Sequence, residues 1–141
     1  MYSEIMVAPM REELTRLGIR ELKTPGEVDR ELGIRQGTTM VIVNSICGCA
    51  AGRMRPAVRI ALAHSTRPER VFSVFAGQDQ AATERARSYF TGYRPSSPSI
   101  AILREGQLVH MLERSDIERR DAFDIALELK RVFDEHCAKP V

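Results

Sequence analysis

Apolar positions along the chain fall into helix-spaced stretches and short continuous runs, and the two kinds alternate. Ile5, Met6, Met10, Leu14 and Leu17 keep helical spacing, and Gly18 is placed to end that segment. Thr24, Pro25 and Glu27 read as an N-cap, a first-turn proline and an early acid, opening a second helix through Leu32. Residues 38–44 (TTMVIVN) are a nearly unbroken β-branched and apolar run, the pattern of a strand covered on both faces. After SICGCAAG, Met54, Ala57, Val58, Ala61 and Leu62 return to helical spacing. Pro56 inside that stretch predicts a kink, because it removes one hydrogen bond and crowds the Gly52 carbonyl. Residues 71–75 (VFSVF) predict a second buried strand. Gly77 and Asp79 read as a turn and an N-cap, with a helix running toward Tyr89. Residues 91–99 (TGYRPSSPS) are loop, and 100–103 and 108–112 are short strands around a hairpin at Arg104-Glu105-Gly106-Gln107. Asp116 is the expected cap of a last helix, which buries Ala122, Ile125, Ala126, Leu129, Val132 and Phe133 along one stripe.

The order is therefore α-α-β-α-β-α-β-β-α. Two buried strands joined through a helix form a parallel pair by a crossover, and a hairpin extends the sheet. This predicts an α/β fold: a thioredoxin-like three-layer α/β/α sandwich with a mixed four-stranded sheet. Residues 1–37 are expected as an N-terminal helical extension and 38–137 as the core of one domain spanning 1–141. The 141-residue length fits one such core. Apolar residues at 43% exclude wholesale disorder. With 21 Lys and Arg against 19 Asp and Glu, the net charge of +2 points to neither nucleic acid nor an anionic membrane as partner. No run approaches the roughly 18 residues that span a bilayer. Glu4 and Pro9 stand where a signal peptide needs a basic and an apolar stretch, so a cytoplasmic protein is expected.

The three cysteines, Cys47, Cys49 and Cys137, change the picture. An odd count argues against a disulfide framework and leaves packing thiols, metal ligands or redox groups. Cys47 and Cys49 lie between the most buried strand and a helix. The first N–H groups of a helix have no intrahelical partner and, with the helix dipole, favour negative charge. A thiol there has its pKa lowered from about 8.5, and the thiolate is the nucleophile of thiol–disulfide exchange. Gly48 lets the chain bend and leaves the sulfurs accessible. Arg53 and Arg55 read as solvated surface charges that add at most a positive potential. A Cys47–Cys49 bridge closes a very small, strained ring and is easily reduced, which suits a cycling centre better than a staple. A metal site would need Cys137, His64, His110 or His136 to complete it, and no second close cysteine pair exists. Cys137 reads as a thiol near the end of the last helix, with a resolving role left open. Pro98 directly precedes a strand, where proline opens a strand rather than sitting mid-sheet. In a thioredoxin-like fold the Ser97–Pro98 bond is the candidate cis peptide, facing the cysteine corner and pairing with an extended substrate.

MVAPMREEL (6–14), VNSICGCAAGRMRPA (43–57), VFAGQD (74–79), YFTG (89–92), PSSPS (95–99) and FDEHC (133–137) together resemble the bacilliredoxin family over almost the whole chain. The resemblance implies a thioredoxin-like fold with Cys-x-Cys in place of Cys-x-x-Cys, and removal of bacillithiol from protein mixed disulfides. By that resemblance Cys47 attacks, Cys49 is its partner, Gly48, Ser97 and Pro98 meet the substrate, and no metal or nucleotide cofactor is needed. Bacillithiolated proteins are the expected clients, with bacillithiol or a dedicated disulfide reductase as electron source. General protein disulfide reduction or isomerisation, a thiolate metal-binding module, and an interaction domain with inert thiols are the alternatives.

Overall fold

The apolar run at 38–44 becomes the central strand. The structure is a computed structural model and describes residues 1–138; of the expected 1–141 span, 139–141 lie outside the described residues. Strand β2 (Thr38–Asn44) is buried at every position, because both of its faces carry helices. It pairs in parallel with β3 (Arg70–Phe75) and antiparallel with β4 (Ser99–Arg104). β4 continues antiparallel into β5 (Gln107–Leu112) through the two-residue turn Glu105-Gly106. Both turn residues have positive φ, 52° and 79°, the backbone that matches the twist of a tight hairpin.

The sheet has five strands where four are expected. The added strand, β1 (Arg20–Glu21), lies in the segment read as purely helical and pairs in parallel with β3, giving the order β1-β3-β2-β4-β5. Two polar residues carry no period from which a strand can be read. Their pairing is made by backbone, with the Leu22 N–H donating to the Ser73 carbonyl at 2.8 Å.

Alternation along the strands sorts the core into two layers. Met40, Ile42, Ile100 and Ile102 face helices α3 (Arg55–Ala61) and α6 (Ala122–His136) through Ala57, Val58, Ile125, Leu129 and Phe133. Val41, Val43, Ala101 and Leu103 face α2 (Pro25–Leu32) and α4 (Gln80–Arg87) through Val28, Leu32, Ala82 and Ala86. Helix α1 (Glu4–Thr15) adds Leu14 to the first layer. The Thr24 hydroxyl caps α2 as expected, accepting the Glu27 N–H.

Three local readings change. The kink expected at Pro56 is a π-helical segment, Ala50–Met54, that runs into α3 with Pro56 in its first turn. A proline lacks the N–H that an unbroken α ladder needs, and a wider turn just before it absorbs the mismatch. Asp116 does not cap the last helix. It lies in a separate short helix, α5 (Arg114–Glu118), where it answers Glu113 in a capping box, while the Asp121 carboxylate caps α6 through the Asp124 N–H. Asp79 flanks α4 but makes no side-chain cap, because its carboxylate is taken by Arg11 at 2.7 Å.

Candidate functional site

β2 delivers the chain to the carboxyl end of the sheet, and the helical run begins three residues later. Cys47 stands at that beginning. Its carbonyl accepts the Ala50 and Ala51 N–H groups at 2.9 and 3.2 Å, and its Sγ accepts the Cys49 N–H at 3.3 Å. The sulfur thus takes the N-cap role that a hydroxyl or carboxylate usually plays, meeting an N–H with no helical partner. Cys47 and Cys49 are half-buried, Gly48 is exposed, and all three cysteines carry free thiols. Gly48 has a helical backbone and open space where a Cβ would sit. The bend itself therefore does not demand glycine.

Burial works against ionisation of Cys47. The Cys49 N–H and thiol, the Arg114 charge and the Ala50 N–H outweigh it and hold this thiol below its ordinary value. Cys49 moves the opposite way: its thiol hydrogen-bonds to the Cys47 sulfur, and burial and the neighbouring thiolate add to the rise. Two adjacent thiols therefore separate into one that ionises early and one that keeps its proton. Iodoacetamide labelling across pH should show Cys47 reacting first, with its midpoint below that of a free thiol, because a lower pKa leaves more thiolate at any given pH. Cys49 should follow at higher pH. Coincident midpoints, read by peptide mass spectrometry, would refute this division.

Beneath the corner lies a buried polar network. Arg55 is 3% exposed. Its Nη1 donates to the Asn44 Oδ1 and the Ser45 carbonyl, both at 2.9 Å, and its Nε donates to Glu13 at 2.8 Å. Asn44 donates to the Met10 carbonyl and accepts the Ser45 N–H, while the Ser45 hydroxyl accepts the Cys47 N–H at 2.9 Å. Arg55 is therefore not a solvated charge as expected but the buried support of the loop that carries Cys47. Arg53 turns the other way and donates to the Glu118 and Arg120 carbonyls, closing the end of α5.

The loop before β4 completes the site. Val43 pairs with Ser99, so one step further along the register Pro98 comes beside Asn44 at the cysteine corner. The Ser97–Pro98 peptide is cis and Pro98 is buried. Ser97 and Cys47 line the same open depression. The loop is held from two sides. The Arg87 Nη2 and the Ser99 hydroxyl donate to the Ser96 carbonyl, and the Arg114 N–H donates to the Ser96 hydroxyl.

The remaining candidates are scattered. Cys137 is buried near Thr38, the first residue of β2, whereas Cys47 follows the last. A seven-residue strand separates those ends by about 20 Å, so Cys137 cannot reach Cys47 in this fold. Burial pushes its thiol up, with the Thr38 hydroxyl opposing only in part. His64 pairs with Asp134 at 2.9 Å and His110 with Glu128 at 2.7 Å, and His136 lies 3.9 Å from Glu135. Among the described residues no three His, Cys, Asp or Glu side chains gather as a metal-binding group. Arg114, Tyr2 and Gly77 belong to the site and were not read from the sequence. Each comes from a distant segment; Tyr2 and Arg114 carry no local motif, and Gly77 reads from the sequence only as a turn within VFAGQD.

The family described as disulphide isomerase matches residues 2–137. A bacilliredoxin of Koribacter versatilis is 61% identical over 137 residues, covering 97% of this chain and 94% of that one. The chain belongs to the bacilliredoxin family. It is a thiol–disulfide oxidoreductase. Other bacilliredoxins are similar at comparable length: one from Geobacillus kaustophilus at 47% identity, over 96% of this chain and 94% of its own, and one from Staphylococcus haemolyticus at 44%, over 97% and 94%. Among solved structures, one described as having a thioredoxin fold aligns at TM-score 0.60 and 12% identity, over 80% of this chain and 93% of that one. Plasmodium falciparum thioredoxin aligns at TM-score 0.54 and 16% identity, over 85% and 99%. These confirm the thioredoxin fold expected for a bacilliredoxin. No helix among the described residues is long and apolar enough to cross a membrane.

Proposed function

We propose that this bacilliredoxin-family chain removes a small thiol, bacillithiol in hosts that make it, from mixed disulfides on client proteins, with Cys47 as the nucleophile. The observation that carries the reading is the Cys47 sulfur itself, half-buried but open beside a depression and held by the Cys49 N–H at 3.3 Å. The Cys47 thiolate attacks the small thiol's sulfur. A Cys47–small-thiol disulfide forms, the client's S–S bond breaks, and the client leaves as a thiolate that takes a proton from solvent. Electrons move only between sulfurs, so the exchange needs neither metal nor nucleotide. Ser97 lines the wall beside the reacting sulfur with the cis Pro98 buried behind it, and Gly48 leaves the approach clear. Cys49 resolves the adduct once deprotonated, or a second small thiol or a disulfide reductase does so.

The test is direct. A Cys49→Ser variant, given a bacillithiolated client and no other thiol, should accumulate a Cys47–bacillithiol adduct visible as one added mass. The parent protein should instead pass on to the Cys47–Cys49 disulfide. Equal amounts of adduct in both proteins would remove Cys49 from the pathway. The family description as disulphide isomerase favours one second reading, exchange of protein disulfides. Comparing turnover on a bacillithiolated client with turnover on a scrambled disulfide protein separates the two.

A further inference from the structure

Cys47 opens onto a depression of about 360 Å³ walled by Tyr2, Ile46, Gly77, Ser97 and Arg114. That lies near the lower bound of small-molecule sites, roughly 300 to 1,000 Å³. It has room for the appended part of a small thiol and is too small for a folded surface.

Its walls come from unrelated parts of the chain. Tyr2 is fixed against the turn after β3, its N–H donating to the Gln78 side chain at 2.9 Å and its carbonyl accepting from Gln78 at 2.7 Å. Gly77 has φ of +82° and presents no side chain, and a Cβ there would approach the Tyr2 ring at 3.7 Å. Arg114 is the one cationic side chain of the lining, across from the Cys47 thiolate. Its guanidinium reaches toward the Ser97 carbonyl at 3.5 Å, and its only carboxylate partner among the described residues is Glu118 at 3.3 Å, in an exposed i,i+4 pair. Such pairs are weak, so the guanidinium is available to a second anion. A guanidinium also matches a carboxylate with two parallel N–H groups.

We propose that this depression is the subsite for the appended group of the small thiol and that Arg114 selects thiols bearing a carboxylate. The assignment rests on the exchange reading above. It places the small thiol in the depression and the client's sulfur on the solvent side, as leaving group.

The test uses one client peptide carrying three mixed disulfides of similar size: 3-mercaptopropionate, 2-mercaptoethanol and cysteamine, which are anionic, neutral and cationic. The leaving thiol is the same throughout. Comparing each substrate between the parent protein and Arg114→Glu cancels the intrinsic reactivity of each small thiol, and any change in Cys47 acidity acts on all three alike. Arg114→Glu should lower the rate on the mercaptopropionate client relative to the mercaptoethanol client by about fivefold, and raise the cysteamine rate relative to the same reference by a similar factor, the size expected of one exposed charge contact. Arg114→Gln should fall between, and Glu118→Gln should sharpen the preference for the anionic substrate. A uniform slowing of all three substrates in Arg114→Glu would overturn the subsite and leave the exchange chemistry standing. Exchange that persists in Cys47→Ser would instead overturn the reading on which the subsite depends.

Discussion

Cys47→Ser should abolish thiol transfer, lowering the rate on a bacillithiolated client by at least about a thousandfold, the loss typical when a nucleophile is removed. The serine hydroxyl does not ionise near neutral pH and forms no disulfide. The fold should be nearly untouched, because serine is a good N-cap residue and Cys47 already holds that position through its contact with the Cys49 N–H. Thermal unfolding should therefore differ from the parent by less than about 1 kcal/mol, as for most substitutions outside the core. Loss of activity with an unchanged melting curve separates chemistry from structure. Retained transfer in Cys47→Ser would end the assignment of Cys47, whatever Cys49 does.

Arg55→Met should destabilise the protein more than any change at the thiols. Methionine keeps the apolar stem but deletes the donors to Asn44 and Ser45, in a place that is 3% exposed. Hydrogen bonds from charged groups contribute about 1.5–3 kcal/mol each, and a buried acceptor left unmatched costs further. Asn44 keeps its bond from the Ser45 N–H, and Glu13, with a side chain 47% exposed, can turn to water. These reliefs bring the expected loss to about 2–4 kcal/mol. At this chain length that lowers the melting temperature by roughly 5–15 °C. Glu13→Gln should cost under about 1 kcal/mol, because its partner's other bonds survive. The Cys47 labelling midpoint should also rise in Arg55→Met, since the Ser45 carbonyl loses the guanidinium that holds the cysteine loop in place. An unfolding curve equal to the parent's would show that Arg55 does not support the corner.

The two argined helices around the site show where sequence reading stops. Arg55 reads as a solvated charge, although it sits three and seven residues before Val58 and Leu62, both on the apolar stripe. It is buried because Glu13, Asn44 and Ser45, from other segments, supply its partners, and no spacing along the chain shows those partners. Arg114 gave no signal at all. It becomes relevant only because α5 packs its first residue against the Ser96–Ser97 loop. Asp116 was assigned to the wrong helix for a related reason: a five-residue helix is shorter than the window in which spacing can be seen.

By itself the sequence determined the central strand, the strand-to-helix corner with its two cysteines, the proline at the mouth of β4 and the family. Each is set by residues adjacent in the chain: a β-branched run, an N-cap position, a ring that replaces an N–H. Only the tertiary structure decided which charges are buried, which face the sulfur and which thiol lies out of reach. Cys137 is distant because β2 lies between it and the corner, and Arg114 is near because two loops meet there. Contacts between residues far apart in the chain depend on how the layers pack, and a pattern read along one dimension carries no record of that.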